Sequence, residues 1–308
     1  MEAISLRAPA KINLSLDVLG RREDGYHEVE MVMQTVALHD VLHLRKRSDG
    51  EIVLLCRGEG VPAGPENLVW KAAVLLKEQA SLDLPGVEIV LEKNIPVAAG
   101  LAGGSTDGAA ALRGLNRLWG LNYSREQLLQ LGGRLGADVP FCLLGGTALA
   151  RGRGEKLQPL PPAPFFHVVL AKPRVAVPTA EVYRHFRPED REPRPDTAGL
   201  VEAIRRGDRE GIRERLVNVL ERVTRRLFPE VAEAGEVATA VADRLFGPGK
   251  RPVVMSGSGP TFFCLLDDEE ESERLAQELT DRLPVVIKTF FWREPGERQN
   301  NQELTGEG

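Results

Sequence analysis

The amino-acid sequence predicts an α+β fold with two domains. Its 308 residues are 42% hydrophobic and 28% charged, which is enough chain and apolar surface for two ordinary cores. Strand-like and helix-like segments occur in both halves, and a proline-rich stretch at 159–164 separates the halves. We therefore expect one domain at residues 1–158 and a second at 159–295. Residues 296–308 lack apolar periodicity and are expected to form a disordered tail.

In the first half, the apolar pattern predicts four strands, at 2–7, 14–19, 52–55 and 87–91. Between the last two, Leu68, Ala72 and Leu75 recur at helical spacing, which predicts a helix over 67–80. Apolar residues then recur at steps of three and four from Ser105 to Gly120, which predicts a second helix. A third begins with an S-x-x-Q capping box at Ser124 and is expected to end at Gly136.

In the second half, strand-like runs alternate with helical runs, which favours an α+β sandwich. The expected strands are 166–171, 253–255, 262–266 and 285–291, and the expected helices are 200–206, 211–226, 230–245 and 270–282. A charged, proline-rich segment at 184–196 is expected to be an exposed loop.

The charge pattern excludes several classes of partner. The 40 basic and 45 acidic residues leave a net charge of −5, and no block of five basic residues occurs that would suit nucleic acid or an acidic lipid surface. No run of 18 apolar residues is present, and the N-terminus lacks the pattern of a signal peptide. We expect no nucleic acid and no membrane as partner, and a cytoplasmic protein.

The three cysteines are widely spaced and never form a C-x-x-C pair; they are Cys56, Cys142 and Cys264. This spacing supports neither a disulfide framework nor a structural zinc site.

A glycine-rich segment at 96–107, PVAAGLAGGSTD, is the strongest local signal for function. It lies between a predicted strand and a predicted helix, where glycines allow close backbone approach and free helix N–H groups favour an anion. A phosphate would fit there, and Ser105 and Thr106 could add hydroxyl groups or help to hold Mg²⁺. The pattern is neither a Walker A motif nor a dinucleotide-binding fingerprint. The alternative is a helix entry whose glycines serve packing alone.

Two charged residues are candidates for catalysis. Lys11 and Asn13 lie on one face of a predicted strand, so both could point into one site. Asp138 follows the predicted end of a helix, where a carboxylate is either a turn-forming residue or a placed base.

Two further segments carry weaker signals. Tyr26 and His27 offer an aromatic ring beside an imidazole, which could stack on a base and form hydrogen bonds with it, or could be an ordinary surface turn. The glycine turn at 256–261, SGSGPT, joins two predicted strands and could be a simple connection.

Four motifs in order resemble the kinase superfamily named for galactokinase, homoserine kinase, mevalonate kinase and phosphomevalonate kinase. They are PAKINL at 9–14, PVAAGLAGGSTDGAA at 96–110, DVPF at 138–141 and SGSGPTFF at 256–263. The resemblance covers nearly the whole chain. It implies an N-terminal nucleotide-binding domain, a C-terminal α/β-plait-like domain and an active site in the cleft between them.

Within that superfamily, PAKINL, GYHE at 25–28 and PENLVWKA at 65–72 resemble kinases of the non-mevalonate isoprenoid pathway. The resemblance implies ATP-dependent phosphorylation of the 2-hydroxyl of 4-diphosphocytidyl-2-C-methyl-D-erythritol, with ATP and Mg²⁺ as cofactors. This small molecule is the expected partner, and the chain is expected to be a monomer or a homodimer.

The resemblance also implies roles for single residues. Asp138 would be the base for the attacking hydroxyl, and Lys11 would hold it ionised and stabilise the developing charge. The nucleotide would be bound by Asn67, Leu68, Lys93, Pro96, Gly100, Leu101, Ala102, Gly103, Gly104, Ser105 and Thr106. The substrate would be bound by Asn13, Tyr26, His27, Tyr183, Gly257, Ser258 and Gly259, with the rings at the cytosine.

The chain departs from the superfamily pattern at a few positions. Ala102 stands where glycine is usual, Thr106 where serine is commoner, and Gly108 where alanine is expected. Gly108 is expected to weaken the first helical turn by up to about 1 kcal/mol. No acidic residue convincingly matches the superfamily's magnesium-binding glutamate, so the metal ligands are undefined.

Two other functions remain open. A relative could act on another small substrate, such as a mevalonate-pathway kinase or decarboxylase, but GYHE favours a substrate that carries a base. The second alternative is a nucleotide-binding sensor that lacks catalysis. The presence of both Lys11 and Asp138 favours an enzyme over such a sensor.

Overall fold

The computed structural model describes residues 2–58, 60–80 and 83–292. The first half contains β1 (Ala3–Arg21), β2 (His27–Arg47), β3 (Ile52–Arg57), α1 (Leu68–Ala80), β4 (Gly86–Glu92), α2 (Gly103–Trp119), α3 (Arg125–Leu135), α4 (Val139–Leu144), β5 (Thr147–Gly152) and β6 (Lys156–Pro159). The expected tail at 296–308 lies outside the described residues.

The second half contains β7 (His167–Lys172), α5 (Thr179–Arg184), α6 (Thr197–Arg206), α7 (Arg209–Arg213), β8 (Val217–Asn218), α8 (Leu220–Leu227), α9 (Pro229–Phe246), β9 (Val253–Met255), β10 (Phe262–Leu266), α10 (Glu269–Thr280) and β11 (Val285–Phe290). A short 3₁₀ helix covers Pro188–Arg191. None of the helices in the described ranges is long and apolar enough to span a membrane.

The strands form two sheets. The larger has seven strands with the path β3-β4-β2-β1-β8, and β5 joins it by pairing with β2 and with β6. The smaller has the order β11-β7-β10-β9. Strand β8, from the second half of the chain, pairs in parallel with β1 at Ser15 and Leu16. This pairing brings residues of the second half beside the strand that carries Lys11.

Three apolar clusters hold these layers together. One packs α1 and α2 against β2 and β4, and includes Leu76, Ile89 and Leu112. The other two each join both halves of the chain; for example, Ile12 and Phe263 belong to the same cluster. Because these two clusters bury apolar side chains of both halves together, they hold the two halves of the chain against each other.

The α+β prediction is confirmed, and most predicted helices and strands are found. The capping box of α3 is also confirmed, because Ser124 accepts from the Gln127 N–H and the Gln127 side chain accepts from the Ser124 N–H. The two strands expected at 2–7 and 14–19 are one continuous strand, β1. Strand β2, with 21 residues, was not predicted.

Two predictions in the second half are wrong. The helix expected at 211–226 is broken into α7, β8 and α8, because Asn218 accepts from the Leu220 N–H at the start of α8 and donates to the carbonyls of Met255 and Gly257. The segment at 184–196 is not simply an exposed loop. It contains the 3₁₀ helix, and its Asp190 is buried in an ion pair with Arg226.

Candidate active site

A cleft of about 1230 Å³ lies between the two halves of the chain. Its walls come from the outer part of β1, the β1–β2 turn, the glycine-rich loop before α2, the start of α4, helix α5 and the turn between β9 and β10. The cleft therefore gathers segments that are far apart in the sequence.

Lys11 lines this cleft. Its backbone N–H donates to the carbonyl of Leu101, and the register of β1 against β2 shifts between Pro9 and Lys11. The side chain is buried, and Nζ donates to Oδ1 of Asn13 at 2.8 Å and to the carbonyl of Gly100 at 3.1 Å. The ammonium is thus held in a fixed position by acceptors from both the strand and the loop.

Asp138 is brought to Lys11 by the connection between α3 and α4. It occupies the position before the first residue of α4, but its side chain forms no capping hydrogen bond. Instead Oδ2 lies 3.7 Å from Nζ of Lys11, and the side chain is 30% exposed. The side chain of Asp138 therefore does not stabilise the turn before α4 by a hydrogen bond. The carboxylate faces the cleft beside a cation.

The glycine-rich loop has the geometry of an anion site. Ala98, Gly100 and Ala102 all have φ between 51° and 74°, and α2 begins at Gly103 without a side-chain cap. The first N–H groups of a helix have no partner within the helix and attract anions, helped by the helix dipole. A Cβ at Gly104 would meet nothing within 4 Å, so the loop is open to the cleft at this position.

The second half of the chain closes on the loop at Gly100. The hydroxyl of Ser256 donates to the Gly100 carbonyl at 3.0 Å, and a Cβ at Gly100 would collide with the carbonyl of Ser256. Gly257 has φ of 58°, and a Cβ there would lie 3.0 Å from the Gly100 carbonyl. Two glycines thus allow the loop and the turn to pack backbone against backbone. Gly257 and Ser258 line the cleft, whereas Gly259 shapes the turn against Met255.

Comparison with known proteins identifies the family. A curated 4-diphosphocytidyl-2-C-methyl-D-erythritol kinase from Pelotomaculum thermopropionicum is 48% identical, covering 93% of this chain and 98% of the relative. One from Exiguobacterium sibiricum is 50% identical, covering 88% and 92%. The chain belongs to the 4-diphosphocytidyl-2-C-methyl-D-erythritol kinase family. The resemblance to the kinase superfamily is therefore confirmed, and the protein is a small-molecule kinase.

The family models and solved structures agree with this kinase assignment. The GHMP kinases N terminal domain matches residues 67–146, and the GHMP kinases C terminal domain matches 200–285. A crystal structure of 4-(cytidine 5'-diphospho)-2C-methyl-D-erythritol kinase has a TM-score of 0.76 at 39% identity, over 94% of this chain and all of that chain. A homoserine kinase from Cytophaga hutchinsonii, at 21% identity and a TM-score of 0.72 over 95% of each chain, shares the fold.

Some of the residues expected to bind the nucleotide have a more structural placement in the kinase. Asn67 caps α1: Oδ1 accepts from the Val69 N–H at 2.9 Å, and Nδ2 donates to the Pro62 carbonyl at 2.7 Å. Its side chain therefore fixes the segment before α1, which forms one wall of the cleft. Leu68 and Pro96 line the cleft as well, but Leu101 points into the core and is buried.

Lys93 is part of a buried charged group that the sequence did not reveal. Its Nζ bonds to carboxylates of Asp40 and Asp107, the latter at 2.7 Å. Burial, followed by the charge of Asp40, raises the pKa of Asp107, although Lys93 opposes this shift. Because a Cβ at Gly103 would lie 3.2 Å from the Lys93 ammonium, this group supports the loop from beneath.

Gly108 has a packing role in the kinase. A Cβ at this position would lie 3.1 Å from Cβ of Leu68. The residue that departs from the superfamily pattern thus lets α2 approach the start of α1 closely, and a larger side chain would press α1 outward.

The rings expected to bind a base are arranged differently from the sequence-based picture. His27 lies against Tyr183, with ring centroids 5.2 Å apart and planes tilted by 32°, and its other neighbour is Phe186 at 6.4 Å. Tyr26 is 56% exposed, and its ring contacts the guanidinium of Arg153 at 4.9 Å. Phe186 and Arg153 were missed because each lies far from the GYHE motif in sequence.

The surroundings of His27 and Tyr183 shift the pKa values of both side chains. Burial, followed by the positive charge of Arg21, lowers the pKa of His27. Burial, followed by the negative charge of Asp138, raises the pKa of the Tyr183 phenol. At neutral pH, the imidazole is therefore uncharged and the phenol keeps its proton.

Proposed function

We propose that this kinase transfers the γ-phosphoryl group of ATP to the 2-hydroxyl of 4-diphosphocytidyl-2-C-methyl-D-erythritol, as the names of its relatives indicate. The observation that carries this proposal is the pair of Lys11 and Asp138, 3.7 Å apart and facing an open helix N-terminus in one cleft. Phosphoryl transfer needs positioning and electrostatic stabilisation more than covalent catalysis, and these residues supply both.

Asp138 is assigned as the acceptor of the proton from the attacking hydroxyl. Among the described residues, its carboxylate forms neither a helix cap nor a close hydrogen bond, so an oxygen is available to the substrate. A carboxylate in hydrogen-bond reach can orient a hydroxyl and take its proton as the new P–O bond forms. Asn13 fixes Lys11 through its 2.8 Å hydrogen bond, and its role in orienting the substrate is part of the proposal.

Lys11 is assigned an electrostatic task. Its ammonium stabilises the negative charge of the transferring phosphoryl group. The hydrogen bond from Nζ to Gly100 brings the same ammonium to the loop that receives the phosphates. A single cation is therefore placed between the two reactants.

The donor chemistry of the loop fits a Mg²⁺ ion that is held chiefly by ATP and water. In the ranges that the structure describes, no group of three or more His, Cys, Asp or Glu side chains could hold a metal by itself. The Thr106 hydroxyl is occupied because it donates to the Pro9 carbonyl at 2.8 Å, whereas Ser105 lines the cleft. We assign Ser105 as the protein ligand, and when bound the ion neutralises phosphate charge.

The cytosine is assigned to the side of the cleft formed by Tyr26, His27 and Tyr183. Aromatic rings provide stacking surfaces, and a neutral imidazole provides one donor and one acceptor for the edge of a base. This side would be useless for mevalonate or homoserine, which contain no base.

A substrate panel tests the proposed function. ADP release is measured with 4-diphosphocytidyl-2-C-methyl-D-erythritol, its uridine analogue, mevalonate and homoserine under identical conditions. We expect turnover with the first and much less with the others. Equal turnover of the cytidine and uridine compounds, or a preference for mevalonate, would contradict the assignment of the base site.

The remaining expectations belong to the same proposal. A monomer or a homodimer suffices, because Lys11, Asp138 and the loop all come from one chain. An enzyme that draws on ATP and a nucleotide-linked metabolite is proposed to act in the cytoplasm. Sedimentation analysis would determine the oligomeric state.

A further inference from the structure

Arg153 lies in the short turn between β5 and β6, and it lines the cleft. The turn is shaped by two glycines with positive φ, Gly152 at 74° and Gly154 at 117°. A Cβ at Gly154 would lie only 2.8 Å from Cε of Met31, so the turn needs glycine to pack this closely. The positive φ angles of Gly152 and Gly154 therefore set the path of the turn along the cleft.

This turn reaches both the ring assigned to the base and the carboxylate assigned to the reacting hydroxyl. At one end, the guanidinium of Arg153 lies 4.9 Å from the centroid of the Tyr26 ring. At the other end, a Cβ at Gly154 would lie 3.8 Å from Oδ1 of Asp138. The turn that carries Arg153 thus lies between the ring assigned to the base and the carboxylate assigned to the reacting hydroxyl.

Glu28 links this turn to the turn between β1 and β2. The N–H of Gly152 donates to Oε1 of Glu28 at 3.2 Å, and Arg22 donates to the other oxygen of Glu28 at 2.6 Å. Arg22 begins the turn that carries Tyr26. The relative placement of Arg153 and Tyr26 is therefore built into the fold.

The guanidinium of Arg153 has free hydrogen-bonding capacity. Among the described residues, it contacts the face of Tyr26, interacts electrostatically with Asp24, and forms a long ion pair with Glu155, in which Nε and Oε2 are 4.0 Å apart. The short contact to Glu155, at 2.7 Å, comes from the backbone N–H of Arg153. A planar guanidinium with free donors matches two phosphate oxygens at once.

We propose that Arg153 is a further substrate-binding residue, whose guanidinium binds the diphosphate that links the nucleoside to the polyol. This inference rests on the proposed function, because only a nucleoside-diphosphate-linked substrate places two phosphates between a base and the reacting hydroxyl. The Tyr26 ring orients the guanidinium by a cation–π contact. Arg153 is thus assigned to recognition of the linker, whereas the rings are assigned to the base.

Calorimetry with cytidine, CDP and ADP tests this inference in the parent protein and in Arg153→Gln, Arg153→Lys and Arg151→Gln. Arg151 is a matched control near the end of β5, two residues before Arg153, because it is exposed and paired with Glu30. In Arg153→Gln we expect CDP affinity to fall by about 10-fold or more, with affinities for cytidine and ADP within threefold of the parent. Arg153→Lys should recover part of the loss, and Arg151→Gln should resemble the parent. The KM for the full substrate should rise in Arg153→Gln with little change in kcat.

Each other outcome overturns the inference in an identifiable way. Equal losses of cytidine and CDP affinity would show that Arg153 only supports the Tyr26 ring. A parent protein that binds CDP more tightly than cytidine, with this difference unchanged in Arg153→Gln, would place the diphosphate elsewhere and leave the proposed function intact. If the parent bound neither cytidine nor CDP, the proposed function would fail and the inference with it. Thermal unfolding of each variant checks that it is folded.

Discussion

The ammonium of Lys11 lies 3.7 Å from Oδ2 of Asp138 and donates to the carbonyl of Gly100 at 3.1 Å. One buried cation therefore contacts the glycine-rich loop and lies beside the proposed base. The distance to Asp138 is that of an ion pair without a short hydrogen bond, so the carboxylate keeps an oxygen for the substrate. Variants of Asp138 and Lys11 should therefore differ in their effects on turnover and stability.

Replacing Asp138 by asparagine should reduce turnover by on the order of 10²–10⁴. The amide keeps the shape of the carboxylate but cannot take the proton. Because Asp138 forms no helix cap, the fold should be unaffected, and calorimetry should show nearly unchanged ATP affinity. Turnover within threefold of the parent would refute the assignment of Asp138 as the base.

Replacing Lys11 by methionine should reduce turnover by on the order of 10²–10³, because a donor aimed at the developing charge is removed. The change also leaves Oδ1 of Asn13 and the Gly100 carbonyl without their donor, so the melting temperature should fall. Lys11→Arg, which keeps the charge, is the control for stability. If kcat is unchanged and only KM rises, the role of Lys11 is binding.

The glycine loop can be tested at two neighbouring positions. Gly104→Val adds bulk toward the cleft, because a Cβ there meets nothing within 4 Å, so the protein should fold and lose ATP affinity. Gly103→Val instead presses on Ile95 and on the ammonium of Lys93, so it should lower the melting temperature as well. ADP calorimetry and thermal unfolding separate the two effects. Unchanged nucleotide affinity in folded Gly104→Val would show that the loop serves packing alone.

Much of the fold could be predicted from local patterns, and the exceptions have physical causes. Helix α3 was predicted with its cap because Ser124 and Gln127 act on each other within one turn. Strand β2 was missed because it is paired with β1, β4 and β5 and its central residues, from Met31 to Val36, are all buried. A strand that is covered on both faces does not show the alternation of a half-exposed strand.

The residues of the candidate site could be predicted only where they belong to a short sequence motif. Lys11, Asp138 and the glycine loop lie in short recognisable segments, and the structure brings all three into one cleft. Asp40 and Asp107 could not be assigned, because their partner Lys93 is more than ten residues from either. Asn67 was expected to bind the nucleotide, and its role as the cap of α1 was not predicted, because the Pro62 carbonyl that its side chain also binds belongs to an irregular segment.

The Tyr26 ring provides a test of base stacking. Tyr26→Ala should raise the KM for the cytidine substrate by roughly 5- to 150-fold, because stacking on an aromatic ring contributes roughly 1–3 kcal/mol per base. Tyr26→Phe, which keeps the ring, should remain close to the parent. The KM for ATP should be unchanged in both variants. A Tyr26→Ala variant with an unchanged KM would show that the ring, which is 56% exposed, does not contact the substrate.

Protonation of His27 should lower the affinity for CDP at acidic pH. Burial and the charge of Arg21 lower the pKa of His27 below the usual value of about 6.5, so the imidazole stays neutral at pH 7 and gains its proton only at more acidic pH. A neutral imidazole can accept from the cytosine amino group, whereas the protonated form cannot. Affinity for CDP should therefore hold from pH 8 to about 6.5 and fall at more acidic pH.

Two variants separate this titration from others in the cleft. His27→Asn keeps a donor and an acceptor without titrating near neutral pH, so the fall in CDP affinity at acidic pH should disappear. His27→Ala should reduce the preference for CDP over UDP at every pH, because the two pyrimidine edges present opposite donor and acceptor patterns. Calorimetry with CDP and UDP over this pH range measures both effects. An acidic fall that persists unchanged in His27→Asn would assign the titration to another group, and an unchanged CDP preference in His27→Ala would show that His27 does not read the base.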